Sequence, residues 1–169
     1  MKLQIIGYSG SGKSTLAIRL ALFYRIPVLH LDNVKFYGNW EERTAEEQNL
    51  LVRQFMTDNE NWVIDGNYFD VAPERLSLAD VTVCLAFNRF YCYRMCRRRY
   101  KNSKGKARES CPCPEKFDWE FRRWILFDGR TAARARKMRV LMHLANKTHY
   151  IFKTKRQLDA WLISEGIHE

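Results

Sequence analysis

Gly7-Tyr8-Ser9-Gly10-Ser11-Gly12-Lys13-Ser14-Thr15 follows a short apolar run, Leu3 to Ile6, and precedes an amphipathic run from Leu16 to Tyr24. The pattern is G-x-x-x-x-G-K-[ST] between a strand and a helix, the context that a phosphate-binding loop requires. Its glycines let consecutive backbone N–H groups turn inward as an anion nest. Gly7, Ser9, Gly10, Ser11, Gly12 and Thr15 belong to that cradle. The helix that starts near Lys13 points its positive end at the same place. Lys13 adds a full charge within reach of the outer phosphates, and the Ser14 hydroxyl is placed to ligate Mg²⁺ between them. A Gly/Ser-rich linking turn would account for the glycines, but not for the agreement of sequence, spacing and flanks.

The chain has 169 residues, 46% of them hydrophobic, enough for one domain with a sizeable core. No stretch approaches the roughly 18 apolar residues that span a bilayer. The first six residues are too short for a secretory apolar region. The expectation is a cytoplasmic protein, without a membrane, whose N-terminus belongs to the fold. Five cysteines, an odd number, argue against a disulfide framework. Cys92, Cys96, Cys111 and Cys113 could in principle hold zinc, but their spacings depart from paired knuckles, and Cys92 and Cys96 lie one helical turn apart. The net charge of +10 is concentrated in Arg94 to Lys106 and Arg130 to Arg139. Polyphosphate nucleotides or nucleic acid fit such a field, as does a solvated basic face.

Ile26 to Leu31 reads as a second strand that delivers Asp32 at its carboxyl end, where ligands bind in parallel α/β sheets. Asp32 there can orient an acceptor hydroxyl, act as general base or hold a metal-bound water; the alternative is a loop Asp capping a turn. Val34 to Arg43 is aromatic and irregular. Thr44-Ala45-Glu46-Glu47 is a capping box, predicting a helix from Ala45 to about Asp58. Asn61 to Ile64 is an apolar strand that ends in Asp65-Gly66. An Asp at that tip, beside the first strand, can hold Mg²⁺ through water and accept from Ser14, and Gly66 allows close approach of a ligand. Ala72 to Leu78 reads as a short helix.

Ala79 to Phe87 is a buried strand, followed by a helix from Asn88 to Arg99 that carries Arg94, Arg97 and Arg98. Such arginines favour a helix C-terminus and can also stabilise a transferring phosphoryl group. Tyr100 to Phe117, with Lys101, Lys104, Lys106 and Arg108, is long for a connection and reads as a basic lid over phosphates rather than an inert insertion. Helices are expected from near Asp118 and from about Thr131 to Ala145, the latter with Val140, Leu141 and Leu144 on one side. Arg134 or Arg136 of the second would return to the phosphates. Thr148 to Phe152 is the last strand, and Thr154 with Gln157 caps the last helix. The chain shows no internal repeat or linker.

This order of motifs resembles the P-loop kinases of the nucleoside-monophosphate-kinase type. More closely, it is similar to the bacterial DNA topology modulation proteins, which are adenylate-kinase-related. His30-Leu31-Asp32 with Trp40, Trp62-Val63-Ile64-Asp65-Gly66-Asn67-Tyr68 and Cys113-Pro114-Glu115-Lys116-Phe117-Asp118 carry that closer likeness, which covers nearly the whole chain. The resemblance implies a three-layer P-loop NTPase fold: α/β, a five-stranded parallel sheet with helices on both faces and a short basic lid, with ATP and Mg²⁺ as cofactors. Adenylate kinases continue the Asp-Gly with Phe-Pro-Arg, whereas Asn67-Tyr68-Phe69 follows here.

Together these readings predict a kinase-like phosphotransferase that moves the ATP γ-phosphoryl group to a nucleotide or another small hydroxyl- or phosphate-bearing acceptor. Lys13, Asp32, Arg94 and Arg98 would be catalytic, Arg97 and Arg134 would help bind the nucleotide, and Ser14 and Asp65 would hold the metal. The partners would be a nucleoside triphosphate and a small acceptor. The alternative is an ATP-binding, nucleic-acid-associated protein whose basic surface grips phosphates, although no helix-turn-helix is visible; a nucleotide binder without turnover is a third reading.

Overall fold

Five short apolar runs line up as one parallel sheet. In the computed structural model, which describes residues 1–103, 105–144 and 147–167, these are β1 (Lys2–Gly7), β2 (Val28–His30), β5 (Trp62–Asp65), β6 (Val81–Leu85) and β7 (Thr148–Phe152). Their order is β2-β5-β1-β6-β7, and every adjacent pair is parallel. Alternation along each strand divides the core between two layers of helices. Leu3, Ile5, Val63, Val83 and Leu85 pack with α1 (Lys13–Tyr24), α5 (Arg89–Asn102), α6 (Trp119–Leu126) and α8 (Lys155–Ser164). Trp62 and Ile64 pack with Val52 of α3 (Ala45–Asp58), and Ile6 and Cys84 with Met138 and Met142 of α7 (Ala132–Leu144). Covering both faces is what makes these strands nearly continuous apolar runs. The sheet and its two helical layers are those that the sequence predicts.

Local signals place the helix starts. Thr44 Oγ1 accepts from the Glu47 N–H while Glu47 returns to the Thr44 N–H at 2.9 Å, and α3 begins at Ala45. Thr154 and Gln157 do the same for α8. Asp118 caps α6 by accepting from the Phe121 N–H. No helix among the described residues is long and apolar enough to cross a membrane. Lys104, the expected helix end at Ala145, and the side chains of Leu141 and Leu144 lie outside the described residues.

Two expectations are corrected. The second strand is shorter than Ile26 to Leu31, because the chain turns at Leu31 into α2 (Leu31–Lys35), which puts Asp32 in a helical first turn. The segment after it is regular: β3 (Phe36–Gly38) and β4 (Glu41–Glu42) form an antiparallel hairpin. Arg43 holds it by donating from Nη1 to the carbonyls of Asn33, Val34 and Phe36 at 2.8–3.0 Å. The basic segment after α5, expected as a lid, is a folded flap laid on this hairpin. Arg108 and Cys111 bond each other's backbones, Cys111 and Cys113 cluster with Phe36, and the Trp40 N–H points at Cys113 Sγ. The buried Glu115 binds both Arg99 and Arg108. These ion pairs satisfy arginines that the sequence would leave free.

Candidate active site

The carboxyl ends of β1, β5 and β2 are neighbours in the sheet, and each delivers one part of the site. From β1 comes the phosphate loop. Ser11 N–H donates to Tyr8 O, and Leu16 N–H to Gly12 O as α1 begins. Gly10 adopts φ +78°, and a Cβ there would lie 2.5 Å from both Cys92 O and Cys96 Sγ. The loop therefore rests directly on α5, against the Cys92 backbone and the Cys96 thiol. Burial pushes the Cys96 thiol up to about 11, so it is a packing group rather than a nucleophile. Cys92 and Cys96 lie at the loop while Cys111 and Cys113 lie in the flap, in separate clusters.

Asn67 clamps the root of the loop: its Oδ1 accepts from the Gly7 N–H at 2.9 Å and its Nδ2 donates to Gly7 O at 2.8 Å. Lys13 Nζ donates to Tyr8 O at 3.2 Å, which keeps the ammonium over the loop. Arg130 stacks its guanidinium 3.8 Å from the centre of the Tyr8 ring and donates to Phe87 O and Ile125 O.

The second part is Asp65, at the end of β5 and only 4% exposed. It does not accept from Ser14 as expected. Its Oδ2 lies 3.0 Å from Nδ1 of the buried His30, its register partner on β2. Its Oδ1 is buried and has no hydrogen-bond partner among the described residues. This carboxylate, with one buried oxygen unpartnered, and the half-buried Ser14 hydroxyl are hard-oxygen donors of the kind Mg²⁺ takes, with water completing its shell. The neighbour that requires Gly66 belongs to the chain itself: a Cβ there would lie 2.7 Å from Leu31 Cβ.

The third part is Asp32. It is half-buried, and its Oδ1 accepts from the Tyr68 hydroxyl at 2.7 Å. Burial, and then the Asp32 charge, hold the Tyr68 phenol far above its ordinary range, so it stays a donor. The fully buried Arg75 fixes the Tyr68 backbone by donating to Tyr68 O and to the Val71 and Ala72 carbonyls. Desolvation pulls its guanidinium down to about 10, still charged at neutral pH.

The structure thus brings Lys13, Ser14, Asp65 and Asp32 to one edge of the sheet. It does not bring the expected arginines there. Arg94, Arg97 and Arg98 are exposed, at roughly 140–240° around the helix from Cys92, because each residue advances about 100°. Arg134 is exposed and stacks on Trp124 at 4.4 Å. Arg99 shares the Cys92–Cys96 face but is bound to Glu115. Besides Lys13, Arg130 lies against the loop, and the sequence marks it only as one of a basic run. Asn67, Tyr68 and His30 stand in the quoted motifs, but spacing alone gives no sign of their bonds to Gly7, Asp32 and Asp65.

No protein-family profile matches the chain, and no curated protein matches it by sequence. Solved structures do. A shikimate kinase from Bacteroides thetaiotaomicron is 18% identical, with a TM-score of 0.55 over 96% of this chain and 94% of its own. A deoxyadenosine kinase from M. mycoides, solved with dCMP and dCDP, is 11% identical, with a TM-score of 0.53 over 98% of both chains. A shikimate kinase from Acinetobacter baumannii in complex with shikimate is 14% identical, with a TM-score of 0.51 over 98% of this chain and 94% of its own. At such identities the likeness establishes a fold shared with these kinases.

Proposed function

We propose that this protein is an ATP- and Mg²⁺-dependent kinase, related to the adenylate-kinase-like group that includes the DNA topology modulation proteins. It would move the γ-phosphoryl group to a hydroxyl of a small acceptor. One observation carries the reading: a phosphate loop and a tyrosine-oriented carboxylate, Asp32, stand at the same sheet edge with Asp65 on the strand between them. The kinases that share the fold support it.

The loop amides and Lys13 would bind the β- and γ-phosphates, and Arg130 would keep Tyr8 and the loop in place. Ser14 and Asp65 would hold Mg²⁺, which supplies charge neutralisation across those phosphates. Asp32 would align the acceptor hydroxyl and take its proton. The acceptor oxygen then bonds to the γ-phosphorus while the bond from that phosphorus to the β–γ bridging oxygen breaks, and ADP leaves with the electron pair. The gain comes from alignment and preset charge.

The test is coupled ADP release over a panel of nucleosides, nucleotides, sugars and polyols, beside DNA binding at physiological salt. Acceptor-dependent ADP release, reduced at least about 100-fold by Lys13→Ala, is the expected result. Tight DNA binding with a steep salt dependence, and no ADP release above background hydrolysis, would replace this reading with the nucleic-acid one.

A further inference from the structure

Four cations around Asp32 are already engaged with other groups. Lys35, one turn along α2, pairs with Glu42 at 3.0 Å and sits 5.0 Å from the centre of the Tyr68 ring. Arg43 is committed to three hairpin carbonyls and stacks on Tyr37 at 4.2 Å. Arg75 is buried on the carbonyls around Tyr68. Arg108, on the flap that meets Asn33 through Glu109 O, is bound to Glu115. Lys101 and Lys106 are exposed on the chain leading into the flap. Among the described residues, Asp32 has a phenol as its partner and no cation.

We infer that the acceptor is a hydroxyl compound bearing no anionic group, neither phosphate nor carboxylate. The inference rests on the kinase reading above and narrows its substrate class. A half-buried carboxylate that already accepts one phenolic proton is suited to accept a second hydrogen bond from an alcohol. A neighbouring anion faces like charge there and finds Lys35, Arg43, Arg75 and Arg108 engaged, so it would have to displace one of those contacts to gain a cation among them. An amine on the acceptor is compatible with the same field.

Matched pairs of acceptors test this: adenosine against AMP, thymidine against its 5′-monophosphate, glycerol against glycerol 3-phosphate, and glucose against gluconate. ADP release is followed with each, and AMP binding is measured separately with a non-hydrolysable ATP analogue and Mg²⁺ present. The uncharged member is expected to have the higher kcat/KM in any active pair, by about 100-fold or more. AMP is expected to bind weakly to the wild type and about tenfold more tightly to Asp32→Asn, which removes the like charge while keeping the shape. A pair whose anionic member is preferred, or tight AMP binding that Asp32→Asn leaves unchanged, would overturn the inference while leaving the kinase reading intact. No ADP release with any member would overturn the kinase reading, and the inference with it.

Discussion

The Tyr68 hydroxyl donates to Asp32 Oδ1 across 2.7 Å, joining the residue three positions past the tip of β5 to the first turn after β2. The bond fixes which Asp32 oxygen remains for an acceptor. Tyr68→Phe removes it and leaves the ring. We expect kcat/KM for the acceptor to fall about tenfold, the worth of a hydrogen bond to a charged group, while nucleotide affinity stays the same. Because burial and Asp32 keep the phenol protonated well above its ordinary value of 10.0, Tyr68 should contribute no basic limb below about pH 10 to the wild-type profile. Steady-state kinetics against pH for both proteins checks this.

Gly10→Ala should damage binding and stability together. The new methyl would meet a backbone carbonyl, Cys92 O, as well as the Cys96 thiol, and φ +78° strains any L side chain. A cost of about 1–3 kcal/mol is expected from overpacking, read as a lowered urea midpoint, with weaker ATP binding. Adding Cys96→Ala should not restore the midpoint, since the carbonyl cannot retreat without moving α5. Full rescue would mean that the thiol alone sets the contact.

Asn67→Ala removes both bonds to Gly7 and leaves that strand-end N–H and C=O without their side-chain partner. Unmet polar groups of this kind cost about 1–3 kcal/mol. The loss should appear as about tenfold or more weaker nucleotide binding by calorimetry, with acceptor KM little changed, because Asn67 holds the loop and not Asp32.

Asp65→Asn keeps shape and burial but removes the charge on the unpartnered Oδ1. Mn²⁺ binding to the nucleotide complex, followed by electron paramagnetic resonance, should weaken about 10–100-fold, as for loss of an outer metal partner. His30→Ala frees the carboxylate instead of neutralising it, and should weaken Mn²⁺ less than Asp65→Asn. Equal affinity in wild type and Asp65→Asn would remove Asp65 from the metal site.

Asp80 ties the sheet's amino edge together, accepting from Lys147 Nζ at 2.6 Å and from the Lys2 N–H at 2.7 Å. The Lys147 bond, and then the Lys2 N–H, hold its carboxyl below its ordinary value of 3.8. A folded-state value below the unfolded one gives stability that is present above about pH 4 and lost as pH falls through the folded value. Solvent screening keeps the gain small, since the side chain is 36% exposed. Tm should fall below about pH 4 in the wild type and fall less steeply in Asp80→Asn.

Features set by a few adjacent residues were legible in the sequence. The capping boxes at Thr44 and Thr154 mark helix starts because their bonds close within four residues. The strand tip that carries Asp65 follows from an apolar run that ends in an acid, and Asp32 follows the apolar run of β2 in the first turn of α2. The hairpin after α2 was not legible, because Arg43 and the flap stabilise it from outside its own short strands. Nor were the roles of the arginines. Arg94, Arg97 and Arg98 look as well placed as Arg99 until it is known which side of α5 touches Gly10.

By itself, then, the sequence determined the phosphate loop, the parallel sheet, and the positions of Lys13, Ser14, Asp32 and Asp65 along it, because backbone chemistry and side-chain period act over short range. Only the tertiary structure decided the partners. Asp65 pairs with His30 across neighbouring strands, Asn67 reaches back to Gly7, and Arg130 rather than Arg134 lies against Tyr8. It also bound Arg99 and Arg108 to Glu115. Charge counted along the chain gives how many cations there are; burial and pairing between distant segments decide which remain free to meet a ligand.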